Sequence, residues 1–148
     1  LKVLKSFLEE HGILLIVDEV QTGFGRLGSY YWGFEMHDIV PDIVIMGKPM
    51  GNGHPIAAVM TNNQIAERFN NGMEFFTSYG GNPVSCKVAH EVLKIIEEEN
   101  LQENAKQVGT YLKHGLQKLK SQYECSGDVR GEGLFIGIVF ITHDQKPC

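Results

Sequence analysis

The sequence predicts an α/β fold, and two apolar runs with one amphipathic segment carry that prediction. Residues 13–17 and 43–47 are almost continuously apolar, which is typical of parallel strands that are covered on both faces. An amphipathic helix over residues 2–10 stops just before the first run, and helix, turn and strand make a common α/β unit. The runs end at Asp18 and Lys48, whose side chains are then expected in the crevice where open α/β sheets bind ligands.

Glycine, proline and aromatic residues shape the stretch around these strands. Residues 22–34 hold four glycines and five aromatic residues, which predicts a long ordered loop. Aromatic clusters are more often core than pocket, so we expect this one to pack inward. A turn signal at 51–55 precedes a returning strand over 56–60, which places Lys48 near a hairpin-like bend.

Helices dominate the middle of the chain. A short helix is predicted over residues 64–69. Asn82 is a good N-cap and Pro83 a good first residue for a longer helix that runs to about Glu99.

The last third has a different pattern. A second long helix is predicted over about 101–121, then a glycine-rich turn at 127–133 and a strand over 134–140. The change of pattern at residues 99 and 100 predicts a domain boundary, with one domain over 1–99 and the next over 100–148.

Composition narrows the function. The formal net charge is −5 and the sequence pI is about 5.6, so nothing favours nucleic acid as a partner. No apolar run approaches the roughly 20 residues of a membrane span. Three cysteines without C-x-x-C spacing favour neither a metal site nor a disulfide framework, and reduced thiols fit a cytosol-like compartment. The chain starts at Leu1 inside a helical pattern, so we expect a piece of a longer protein from which the targeting region is absent. We expect a cytoplasmic or mitochondrial location.

The sequence pattern alone allows both a functional and a purely structural role for Asp18 and for Lys48. The run into Asp18 also matches the Walker B pattern of nucleotide hydrolases, although the chain holds no companion P-loop, and the acid could simply cap the next turn. Lys48 could be a surface lysine. Alternatively, Gly47 and the turn residues 49–53 leave its amine little room to reach solvent, and a desolvated amine is nucleophilic towards carbonyls.

Five motifs, in this order and spacing, resemble the class III aminotransferases, which use pyridoxal 5′-phosphate (PLP). They span residues 18–26, 41–48, 51–53, 78–83 and 129–134. The resemblance implies the PLP-dependent transferase fold type I, which is aspartate aminotransferase-like. The chain would supply the C-terminal part of the large domain and the start of the small α+β domain.

The resemblance also implies roles for individual residues. Asp18 would pair with the pyridine nitrogen of PLP, and Lys48 would form the Schiff base and move the Cα proton of a small amino substrate. Gln21 would contact the ring hydroxyl side. Ser78, or Thr77 beside it, would bind the cofactor phosphate of the neighbouring subunit in a homodimer.

Two other polar residues receive structural interpretations. Arg130 lies between glycines and is expected to support the backbone rather than to clamp a substrate carboxylate. His54 follows a turn, has no partner at catalytic spacing in the sequence, and is expected to serve the loop.

The reaction stays open between two PLP chemistries. Residues 48–55 and 80–86 resemble a subgroup labelled alanine–glyoxylate aminotransferase 2-like, whose phospho-lyases act on ethanolamine phosphate or 5-phosphohydroxylysine. Transamination is the family-level description and phosphate elimination is the alternative. A non-catalytic paralogue that keeps the fold is a third possibility.

Overall fold

The computed structural model describes residues 1–144 and 146–148. Four helices and five strands are arranged along these residues, together with 3-10 helices at Gly33–His37 and Lys48–Met50. The helices are α1 (Lys2–Glu10), α2 (Asn63–Phe69), α3 (Pro83–Glu98) and α4 (Leu101–Lys120). The strands are β1 (Ile16–Asp18), β2 (Ile43–Met46), β3 (Ala58–Thr61), β4 (Ser126–Glu132) and β5 (Phe135–Phe140).

The first sheet has the strand order β1-β2-β3 and confirms the predicted parallel pair. β1 runs parallel to β2 with Asp18 opposite Ile45, and β3 returns antiparallel to β2. The prediction that both strands are covered on both faces is wrong for the first run, because Ile16 in β1 and Ile13 and Leu14 just before it are about half exposed. β1 is an edge strand among the described residues, so one of its sides has no neighbouring strand.

The aromatic loop over 22–34 packs inward, as its composition predicts. Phe24, Val44 and Met46 form a buried core cluster, against which Tyr31, Trp32 and Phe34 also pack. The rings of Trp32 and Phe34 stack at 6.3 Å with an interplanar angle of 7°. Tyr30 is the exception, because its side chain is exposed. The loop is therefore ordered and packs against the first sheet.

Capping residues set the helix starts where the sequence predicts them. The Asn82 side chain accepts hydrogen bonds from the backbone N–H groups of Val84 and Ser85, and Pro83 is the first residue of α3. Asn62 caps α2 in the same way through Ile65 N–H.

None of the helices in the described part of the chain is long and apolar enough to cross a membrane.

The predicted glycine-rich turn at 127–133 is wrong, because most of it is strand β4. β4 and β5 form an antiparallel hairpin whose turn lies at Gly133 and Leu134. Glycine is required here by close approach: Gly131 has a φ of +123°, and a Cβ on it would collide with the Phe135 carbonyl. The glycines thus allow strand pairing where their usual association with turns suggested a loop.

Glycines also bring α4 close to the elements around it. A Cβ on Gly28 would lie 2.5 Å from Lys106 Cα, and a Cβ on Gly109 would collide with the backbone of Gly133. Leu134 N–H donates to the Arg26 carbonyl at 3.0 Å. The aromatic loop, α4 and the β4–β5 hairpin therefore meet with backbone-to-backbone contact.

Candidate active site

Asp18 and Lys48 lie at the same edge of the first sheet. Asp18 is the last residue of β1, and Lys48 follows β2 by two residues. Because β1 and β2 are hydrogen-bonded parallel neighbours, their carboxyl ends meet at this edge. The structure therefore places both residues that the sequence singled out at one edge of the sheet.

The Asp18 carboxylate is held by the turn that follows β1. Its Oδ1 atom accepts a hydrogen bond from the backbone N–H of Val20 at 2.9 Å. The side chain is exposed, so Oδ2 stays accessible to a ligand at the sheet edge.

Lys48 sits on a strained backbone. Its φ is +37°, a value that residues other than glycine rarely adopt. Hydrogen bonds of the tight turn close behind it, from Met50 N–H to the Gly47 carbonyl at 3.0 Å and from Gly51 N–H to the Lys48 carbonyl at 3.1 Å. Strained φ values of this kind cluster at functional sites.

The predicted desolvation of Lys48 is wrong for this chain, because Lys48 is exposed. The turn residues 49–53 hydrogen-bond among themselves and do not cover the amine. Its neighbour Gly47 is buried beside Val20, and Met50 packs against the core cluster, but the side chain of Lys48 is left exposed.

Gln21 follows Asp18 by three residues and is exposed. It lies in the turn between β1 and the aromatic loop, next to Thr22. Its exposed position is compatible with contact to a ligand that Asp18 binds, although its role stays a prediction.

Thr77 and Ser78 belong to a segment that projects from the fold. Residues 70–82 form neither helix nor strand, and the side chains of Phe76 and Tyr79 are 83% and 91% exposed. The Thr77 hydroxyl oxygen accepts a hydrogen bond from Gly80 N–H at 3.1 Å, which leaves its proton able to donate. Ser78 is exposed beside it.

Sequence reasoning missed Glu19. It is 0% exposed, and its carboxylate accepts hydrogen bonds from the Thr22 hydroxyl at 2.6 Å, from Gly33 N–H at 2.9 Å and from Phe34 N–H at 2.8 Å. Neighbouring side chains at a strand end point to opposite faces, so Asp18 faces the crevice while Glu19 faces the loop. That alternation was the available signal.

His54 makes a contact that its sequence spacing did not reveal and that fits the expected loop role. Its Nε2 atom lies 2.8 Å from the Oγ atom of Ser85 in the first turn of α3. Arg130 Nη1 donates to Asp128 Oδ2 at 3.3 Å within β4.

An ion pair fixes the opposite end of the parallel strands. Asp42 Oδ2 accepts hydrogen bonds from Lys5 Nζ and from Leu15 N–H, both at 2.8 Å. The Lys5 ammonium and the Leu15 amide hold the pKa of Asp42 below its ordinary value, and hydrogen bonding to Asp42 raises the pKa of Lys5. The pair ties α1 to the start of both strands, which run in a register that puts Asp18 opposite Ile45.

Comparison with known proteins decides the family. Residues 1–147 match the family model described as aminotransferase class-III. The chain belongs to the class III aminotransferase family. Membership confirms the resemblance drawn from the five motifs, and it leaves the Walker B interpretation of Asp18 without support.

Two curated class III relatives cover most of the chain. It is 53% identical over 136 residues to an alanine–glyoxylate aminotransferase 2-like protein of Drosophila melanogaster, a match that spans 91% of this chain and 27% of the relative. It is 50% identical over 151 residues to the mitochondrial alanine–glyoxylate aminotransferase 2 of Homo sapiens, with 97% of this chain and 29% of the relative covered. The chain therefore spans less than a third of the length of either relative.

A solved structure shares the fold. A phospholyase from Arthrobacter in complex with phosphoethanolamine superposes with a TM-score of 0.94 at 40% identity, over 99% of this chain and 35% of that one. This match confirms the predicted α/β fold of the PLP-dependent aminotransferase type.

Proposed function

We propose that this chain is a segment of a PLP-dependent class III transaminase in which Lys48 binds the cofactor aldehyde covalently and Asp18 binds the pyridine nitrogen. The observation that carries the proposal is the position of both residues at the carboxyl ends of the parallel pair β1 and β2.

The residues present fit the cofactor chemically. Val20 N–H occupies Asp18 Oδ1, so Oδ2 can accept a hydrogen bond from a protonated ring nitrogen and keep it protonated. Bound PLP supplies an electron sink for the carbanion left when the substrate loses its Cα proton. Lys48 Nζ would accept that proton and return it as a general acid.

Gln21 and the 77–78 hydroxyls complete the proposed cofactor site. Gln21 would contact the hydroxyl side of the ring from the turn after Asp18. The exposed apolar segment that carries Thr77 and Ser78 supports a role across a homodimer interface, where either hydroxyl would donate to the cofactor phosphate of the neighbouring subunit. Large exposed apolar segments commonly mark such interfaces.

The segment would contribute to two domains and to one assembly. We place residues 1–99 in the large PLP-binding domain and residues 100–148 in the small one, with Asn100 at a φ of +50° in the link between α3 and α4. The name of the human relative supports a mitochondrial location, and a cytoplasmic one remains the alternative.

Phosphate elimination is the second candidate. It is favoured by the likeness to the Arthrobacter phospholyase with phosphoethanolamine. In this reaction the Cα proton passes to Lys48, the Cβ–O bond breaks, and phosphate leaves with the bonding electrons. The remaining product hydrolyses to an aldehyde and ammonia, so no amino-group acceptor is consumed. Transamination instead transfers nitrogen to a keto acid.

One set of measurements separates these candidates in the full-length protein that carries this segment. Yellow protein whose cofactor is fixed to Lys48 by borohydride supports the proposed site, whereas a colourless protein that ignores added PLP supports the non-catalytic paralogue. Incubation with phosphoethanolamine then decides the reaction. Phosphate and ammonia released without a keto acid would replace the transaminase assignment by the lyase.

A further inference from the structure

Glu19 is a fully buried carboxylate to which the proposed reaction gives no task. Its three hydrogen-bond donors come from both ends of the aromatic loop: Thr22 at the start, and the backbone N–H groups of Gly33 and Phe34 at the end. A buried carboxylate is costly unless such donors satisfy it. Its retention here therefore calls for an explanation.

The carboxylate closes the aromatic loop. Gly23 N–H donates to the Glu19 carbonyl at 3.0 Å, so the backbone and the side chain of Glu19 bind different parts of the same loop. The fit is tight, because a Cβ on Gly33 would lie 2.9 Å from Thr22 Cβ and 3.2 Å from Glu19 Oε1. Loss of the carboxylate would leave two partly buried backbone donors unpaired.

Glu19 also lies between two residues of the proposed cofactor site. Asp18 precedes it, Gln21 follows by two residues, and Glu19 N–H donates to the Ile45 carbonyl at 2.9 Å. This last bond extends the ladder between β1 and β2 by one step. With its backbone tied to β2 and its side chain tied to the loop, Glu19 fixes the chain direction from which Asp18 and Gln21 project.

The far side of the loop contacts the C-terminal elements. Gln102 Nε2 donates to the Gly28 carbonyl at 3.0 Å, and Ser29 Oγ donates to Glu132 Oε1 at 3.2 Å. A loop that is closed by Glu19 is thus also the surface on which α4 and the β4–β5 hairpin rest.

We propose that Glu19 is a positioning residue that holds Asp18 and Gln21 in place through the closed aromatic loop and thereby sets the affinity for PLP. This inference rests on the proposed function. Glu19 does not touch the reacting atoms; its effect passes through the backbone on either side of it.

The test replaces the buried carboxylate by an amide in the full-length protein. In Glu19→Gln, an amide NH₂ faces N–H donors, so we expect the PLP dissociation constant to rise about tenfold or more. Glu35→Gln is the matched control, because the Glu35 carboxylate also accepts two backbone N–H groups of this loop, at 2.9 Å each, but is exposed. Its dissociation constant should stay within about twofold.

Further readouts separate positioning from a merely structural role. A structural role would lower the unfolding temperature of the apoprotein while the folded variant kept its PLP affinity. A positioning role also shifts the visible absorption band of the bound cofactor, which Asp18 polarises. A folded Glu19→Gln variant with unchanged affinity and spectrum would overturn the proposal.

A second substitution covers the case in which Glu19→Gln does not fold. Thr22→Val removes one donor to Glu19 and should weaken PLP binding. Thr22→Ser keeps the hydroxyl and should bind PLP as the unsubstituted protein does. Equal affinity of the two Thr22 variants for PLP would count against a positioning role of Glu19. If the unsubstituted protein binds no PLP, the proposed function fails and the role of Glu19 with it; normal wild-type binding with unaffected variants refutes Glu19 alone.

Discussion

His54 Nε2 lies 2.8 Å from Ser85 Oγ, which joins the segment after Lys48 to the first turn of α3. Both side chains are only partly exposed, so solvent competes weakly with their hydrogen bond. The contact links the turn after Lys48 directly to α3, whose N-terminus follows the exposed segment 70–82.

Removal of either partner should destabilise the fold. We expect His54→Leu and Ser85→Ala each to cost about 1 kcal/mol in the free energy of unfolding. The double variant should cost less than the sum, because only one hydrogen bond is lost. Denaturant unfolding of the four proteins measures this coupling, and strict additivity would show that the contact contributes nothing. His90→Leu, on the exposed side of α3, is the control.

Lys48 should be indispensable for covalent cofactor binding. We expect Lys48→Arg to keep the positive charge but to lose borohydride-fixed PLP, and to lower turnover at least about a hundredfold, since the proton-transfer group is gone. Mass spectrometry of the reduced protein locates the attachment. The exposed Lys94→Arg variant should behave as the unsubstituted protein does; label on another lysine would refute the assignment.

Asp18→Asn should separate binding from chemistry. The asparagine oxygen can still accept from Val20 N–H, but its amide lacks the charge that keeps the ring nitrogen protonated. We expect covalent PLP to remain and turnover to fall about a hundredfold, in the range of other lost electrostatic contacts. Asp128→Asn, which touches Arg130, controls for loss of a carboxylate elsewhere. Full turnover by the Asp18 variant would remove Asp18 from the mechanism.

The Lys5–Asp42 pair should make stability depend on pH. The pKa of Asp42 is lowered in the folded chain, so its contribution is present above the unfolded value of about 3.9 and is lost as pH falls through the folded pKa. The pKa of Lys5 is raised, so its contribution is lost as pH rises above about 10.4 through its folded pKa.

Asp42→Asn tests this pH window. We expect a loss of about 1 kcal/mol at neutral pH that shrinks towards acid, where wild-type Asp42 is also uncharged. Thermal unfolding at several pH values measures the difference. The exposed pair of Lys2 and Asp38 offers a control, since Asp38→Asn should have a smaller effect that added salt removes. A difference that does not vary with pH would contradict the ion-pair account.

The elements that the sequence predicted well have local causes. Asn82 and Pro83 define the start of α3 through neighbouring atoms, and the two apolar runs before Asp18 and Lys48 are visible in the sequence itself. What the sequence missed are contacts whose partners it does not mark. The glycines of β4 pair with β5, and His54 contacts Ser85, which is 31 residues away.

Burial at the site was the least predictable property. Glu19 reads as a polar neighbour of Asp18, yet the donors that bury it lie at Gly33 and Phe34, across the whole aromatic loop. Lys48 reads as enclosed, yet the residues that follow it turn onto themselves. Strand alternation turns Glu19 away from Asp18, but the donors that bury Glu19 and the turn that leaves Lys48 exposed depend on loop closure, which periodicity does not encode.

The contact at Gly28 offers a way to perturb the packing of α4 without changing the residues of the proposed site. Gly28 has a φ of +73° and faces the α4 backbone with no room for a Cβ. Even the methyl group of an alanine at this position would therefore push against α4. A substitution at Gly28 would therefore strain the contact between the aromatic loop and α4 while Asp18 and Lys48 stay unchanged.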